Sequence, residues 1–93
     1  MKEKVIEEYL RNKVRDAGGR AYKFVSPGND GVPDRIVLLP GPRVAFVELK
    51  APGKKPTKLQ DLQQKRIKDL GFEVLTIDSK SGVDEFIKGM IGR

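Results

Sequence analysis

Val5, Ile6, Tyr9, Leu10 and Val14 recur at the spacing of one helix face over residues 2–17, and Gly18-Gly19 ends that run. The period then shortens. Residues 20–25 (RAYKFV) predict a short strand, and residues 26–33 (SPGNDGVP), with two glycines and two prolines, predict a loop. Residues 34–39 (DRIVLL) and 44–50 (VAFVELK) read as a hairpin around Pro40-Gly41-Pro42. After a second loop at 51–56 (APGKKP), Thr57 caps a helix to about Leu70, with Leu59, Leu62, Ile67 and Leu70 inward and Gly71 as its stop. Residues 72–77 (FEVLTI) are apolar enough for a covered strand. A last helix, from about Gly82 to Ile91, turns Val83, Phe86, Ile87, Met90 and Ile91 inward.

The order αβββαβα predicts an α/β fold, one mixed β-sheet flanked by helices. The helix between the last two strands is a crossover that sets them parallel. Residues 1–93 suit a single domain with a modest core, which a partner subunit would help to stabilise. The opening MKEKVIEEYL is too charged for a signal peptide, and no apolar run approaches membrane-spanning length.

Composition narrows the chemistry. Nineteen Lys and Arg against thirteen Asp and Glu leave a net charge of +6, which suits a polyanionic partner such as nucleic acid. With no cysteine and no histidine, the chain cannot build thiolate zinc sites, imidazole bases or histidine-metal nuclease centres. Phosphodiester hydrolysis would therefore fall to carboxylates holding a hard cation.

One strand end offers such a set. Alternation puts Val44, Phe46, Glu48 and Lys50 on one side of their strand and Ala45, Val47 and Leu49 on the other. An acid ending a buried strand needs a cation or hydrogen bonds to offset its desolvation. The hairpin brings Asp34 within reach of it. Two carboxylates could hold Mg²⁺, which keeps several waters and takes a phosphate oxygen, with the Leu49 carbonyl as a further ligand. Lys50 would orient the attacking water or stabilise developing charge. From Glu48 and Lys50 alone, an exposed pair worth roughly 0–1 kcal/mol is the simpler reading. Adding Asp34 makes the two readings comparable.

Pro33-Asp34 followed by Glu48-x-Lys50 across a hairpin resembles the PD-(D/E)XK nuclease signature. The longer run KFVSPGNDGVPDRIVLLPGPRVAFVELKAPGKKPTKLQ, Lys23 to Gln60, resembles the VRR-NUC family, and the likeness continues into LGFEVLTIDS and back to the first helix. It implies a restriction-endonuclease-like fold and a Mg²⁺- or Mn²⁺-dependent endonuclease acting on branched DNA such as Holliday junctions. It also implies a homodimer, cytoplasmic and encoded by a phage or bacterium. Carried over residue by residue, the metal ligands are Asp34 and Glu48, the catalytic lysine is Lys50, and the family glutamine is Gln60. Gln63 and Gln64 are the alternatives if the register is displaced. Thr57-x-x-Gln60 is also a capping box, and the two roles of Gln60 can coexist. Of the first-helix acids Glu3, Glu7 and Glu8, spacing to the glycine picks Glu7, against an ordinary Glu7–Arg11 surface pair.

Lys23 and Ser26 match positions near the scissile phosphate in related resolvases, although Lys23 equally reads as a solvated lysine. Asn29-Asp30-Gly31 is turn chemistry first, with Gly31 a place where DNA could approach the backbone. Lys50, Lys54, Lys55, Lys58, Lys65, Arg66 and Lys68 against Asp61 form a candidate phosphate-tracking surface. A non-catalytic DNA-binding module, or a nuclease active only within a larger complex, is the rival reading.

The hairpin sets a geometric condition. A four-residue turn, Pro40 to Arg43, would pair Leu39 with Val44 and turn Asp34 away from Glu48. A common site requires a turn of three or five residues in effect, or a bulge before Asp34.

Overall fold

The computed structural model describes residues 1–92 and contains α1 (Glu3–Asp16), β1 (Arg20–Lys23), β2 (Arg35–Leu39), β3 (Arg43–Leu49), α2 (Lys58–Asp69), β4 (Glu73–Ile77) and α3 (Lys80–Ile91). The strands form one sheet in the order β1-β2-β3-β4, with the first two pairings antiparallel and β3–β4 parallel. Helices α1 and α3 cover one face, and α2 lies against β4 on the other. This is the predicted α/β architecture. No helix among the described residues is long and apolar enough to cross a membrane.

The hairpin turn is three residues long, since Leu39 pairs with Arg43 and Arg35 with Val47. That register carries Val37, Leu39, Ala45, Val47 and Leu49 into the core under α1 and α3, beside Ile6, Leu10, Val14, Val83 and Phe86. It puts Ile36, Phe46 and Val74 on the opposite face, where Phe46 meets Phe24 and Phe72 with ring centroids 5.5 and 6.0 Å away. Continuing it by one residue sets Asp34 opposite Glu48, and Glu48 is the neighbour of Thr76. The condition on the turn is met without a bulge.

Helix α1 ends in a Schellman motif. Gly18, at φ +87°, donates to the Arg15 carbonyl, and Gly19 donates to that of Val14, both at 2.9 Å. Ser79 caps α3 through Gly82, so this helix starts two residues earlier than its apolar pattern indicated. Strand β1 ends at Lys23 rather than Val25, because the following residues turn into the loop before Pro33.

The expected burial of α2 is overturned. Leu59, Leu62 and Leu70 are exposed and Ile67 is only half-buried, while Gln63 and Gln64 point inward. The reason is polar demand beneath the helix: Gln63 donates to the Asp30 carbonyl at 3.1 Å and Gln64 to the Thr76 hydroxyl at 3.0 Å. Val5 and Ile91, expected in the core, are also exposed, each beside a neighbour, Ile6 or Met90, that is buried instead.

Candidate active site

Glu48 is the buried acid of the molecule's polar edge, 2 % exposed at the end of β3. Three groups organise its surroundings. Gln60 Nε2 donates to its Oε2 at 2.9 Å, and Lys50 Nζ lies 3.6 Å from the same oxygen. Asp34 faces it across the ladder, anchored by the Leu49 backbone N–H, which donates to Asp34 Oδ2 at 2.9 Å. Glu48 Oε1 is buried and has no hydrogen-bond partner. A buried carboxylate oxygen without a partner is costly, and a cation or water is the usual remedy.

The electrostatics point the same way. Burial, and after it the negative charge of Asp34, push the Glu48 carboxyl up to about 7, against the opposing pull of Lys50. One cation does not offset two acids at this depth. Among the described residues no three His, Cys, Asp or Glu side chains gather to hold an ion unaided. Mg²⁺ commonly binds through one or two carboxylates and keeps several waters, so Asp34 and Glu48 with the Leu49 carbonyl fit that ion.

Gln60 closes the capping box and also contacts Glu48. Its Oε1 accepts from the Thr57 backbone N–H at 2.9 Å and its backbone N–H donates to Thr57 Oγ1, closing the capping box while Nε2 holds Glu48. Gln63 and Gln64 are occupied elsewhere. The first-helix acids divide differently from the expectation. Glu7 is committed to Arg35, with Oε1 3.1 Å from Nη2. Glu3, one turn earlier, is the helix acid whose charge acts on Glu48.

The outer residues are dispersed. Lys23 pairs with Arg35 and so faces α1, on the opposite side of the sheet from Asp34 and Glu48. Ser26 Oγ accepts from Asn29 Nδ2 at 2.9 Å, holding its own loop. Lys54, Lys55 and Lys58 are exposed on the approach to α2, whereas Lys65 pairs with Asp69 at 2.8 Å. Gly31, at φ +88°, makes room for α2: a Cβ there would come within 2.8 Å of Leu59 Cγ. Sequence reasoning missed Arg35 and Asp78. The first alternates with Asp34 onto the other face; the second accepts from the Gly53 backbone N–H at 3.1 Å and ties down the loop after Lys50. Neither carries a motif of its own.

A mixed sheet with acids at one edge of a hairpin, a lysine two residues beyond the second and a glutamine from the crossover helix define a restriction-endonuclease-like nuclease domain. No family model matches the chain. A phage protein named "Putative nuclease p44", from Acyrthosiphon pisum secondary endosymbiont phage 1, is 51 % identical over 80 residues, 86 % of each chain. A solved structure of a VRR_NUC domain superposes with a TM-score of 0.87 at 30 % identity, over 92 % of this chain and 94 % of the other. The chain belongs to the VRR-NUC family of nucleases.

Proposed function

We propose that the protein is a divalent-metal-dependent DNA endonuclease that cuts branched DNA, Holliday junctions being the substrate class, and that it works as a homodimer. The observation that carries the catalytic reading is the partnerless Oε1 of buried Glu48 facing Asp34. Asp34 and Glu48, with the Leu49 carbonyl, would hold Mg²⁺ or Mn²⁺. Bound there, the ion would supply Lewis-acid charge to the phosphate and a lowered pKa to water. The chain's own residues do the positioning. Gln60 and Lys50 both engage Oε2, which leaves the buried Oε1 without a partner. The Leu49 N–H fixes the rotamer of Asp34. Lys50 is a compact cation beside the place where charge develops.

The dimer reading rests on apolar surface. Tyr22 and Leu38 on the sheet face that α2 leaves open are exposed, as are Phe72, Leu59 and Leu62. A small domain gains stability by covering such area, and twofold pairing would supply a second active site for the opposing strand of a junction.

The test is nicking of linear, flapped and four-way DNA by the isolated protein. Cleavage should need Mg²⁺ or Mn²⁺ and should favour the four-way substrate. Asp34→Asn and Glu48→Gln should each abolish it while DNA binding persists. Full activity in EDTA, or in either variant, would sink the metal mechanism.

A further inference from the structure

Between α1 and the edge strand β1 lies a cleft of about 380 Å³ that the catalytic edge does not use, walled by Arg11, Arg15, Arg20, Lys23 and Arg35. Among the described residues, two of these cations have an acidic partner. Arg35 pairs with Glu7, and Arg15 approaches Asp16 at 3.8 Å; among the described residues Arg11, Arg20 and Lys23 make no ion pair. The cleft therefore keeps a positive excess.

Arg35 adds an independent sign. Its side chain is 11 % exposed, its Nη2 meets Glu7, and its Nη1 donates to the Ala21 carbonyl at 3.2 Å. Its Nε is buried and has no acceptor. A guanidinium this enclosed keeps one donor without an acceptor in the wall of a cationic cleft, although Glu7 already offsets its charge.

Length separates the candidate anions. Arg11 and Arg15 sit one helical turn apart, about 6 Å along α1, and Lys23 and Arg35 stand side by side on the facing strands. A small anion would engage one end of that row. One strand of a nucleic acid advances about 3.4 Å per phosphate and would meet several of the cations in succession. As the edge strand, β1 also turns half of its backbone N–H groups outward, further donors for phosphate oxygens.

We propose that the α1–β1 cleft is a second nucleic-acid site that grips the phosphate backbone of a DNA arm away from the one being cut, through Arg11, Arg15, Lys23 and Arg35. This rests on the nuclease reading above. The cleft lies on the α1 side of the sheet, while Asp34 and Glu48 lie on the other, so an arm held here leaves the catalytic edge free.

The test uses the full chain with Arg11→Gln and Arg15→Gln combined. Both side chains are exposed on α1, so the fold should survive. A control carrying Lys2→Gln and Lys88→Gln loses the same charge elsewhere. Binding of a labelled four-way junction is followed across a salt titration, and cleavage at saturating DNA is measured beside it. The Arg11/Arg15 variant should bind several-fold more weakly and lose about two from the log–log salt slope. Its saturated cleavage rate should match wild type, and the control should keep the wild-type slope. Wild-type slope and affinity in the Arg11/Arg15 variant, with cleavage intact, would overturn the cleft proposal and leave the nuclease reading standing. A change in sedimentation with DNA affinity unaltered would also overturn it, assigning the cleft to subunit contact. If wild type neither binds nor cuts any DNA, both readings fall.

Discussion

Glu48 concentrates the conflict at the residue scale. Its carboxyl is raised to about 7 in the folded chain, so its stabilising contribution is complete below the unfolded value near 4.5 and is lost as pH rises through about 7. In EDTA the protein should melt lower at pH 8 than at pH 5. Glu48→Gln should remove most of that difference and raise the melting temperature at pH 8, by on the order of 1–3 kcal/mol of stability. Calorimetry of the two proteins at both pH values checks this, and a steeper pH dependence in the variant would contradict the assignment. That Glu48 and Lys50 share a side was legible because strand alternation is arithmetic, whereas Asp34 joins them only through the three-residue turn, a length that the sequence left open. The choice between Glu3 and Glu7 was not legible. Both flank the apolar stripe, and how far α1 overhangs the sheet edge decides which reaches Glu48.

Helix α2 shows at the scale of an element what periodicity misses. An apolar pattern identifies the inward face only where the surface beneath is apolar. Under α2 lie Glu48, Thr76 and the Asp30 carbonyl, so the glutamines turn in and Leu59 and Leu62 turn out. The capping signal was legible all the same, because Thr57 and Gln60 are local in sequence. Two variants separate the functions that Gln60 joins. Thr57→Ala removes only the cap acceptor and should cost about 1 kcal/mol with cleavage nearly unchanged. Gln60→Ala should cost a similar amount and also depress cleavage, since it releases Glu48 Oε2. Melting curves and single-turnover rates distinguish them; equal rates in the two variants would remove Gln60 from the site. Gly31→Ala, strained at φ +88° and crowding Leu59, should destabilise the start of the same helix.

The whole molecule has one closed face and one half-open face. Helices α1 and α3 seal a core that includes Ile6, Leu10, Val47 and Leu49, whereas α2 leaves Tyr22 and Leu38 bare. The chain should therefore sediment as a dimer at micromolar concentration, and Tyr22→Arg with Leu38→Arg should yield a folded monomer with weakened junction cleavage. A wild-type monomer that cuts junctions at full rate would refute the pairing. The apolar pattern hides this asymmetry, because it predicts the leucines of α2 inward whereas Leu59, Leu62 and Leu70 are exposed. The hairpin itself has two ends with opposite tolerances. Pro40–Pro42 lies about 20 Å along the strand from Asp34, and the register is held by the core residues and by β1 and β4 rather than by the turn. The turn is thus a handle. A flexible tag or fluorophore spliced in at Gly41 should leave cleavage intact, while one extra residue between Ile36 and Val37 should invert Asp34 and silence the enzyme.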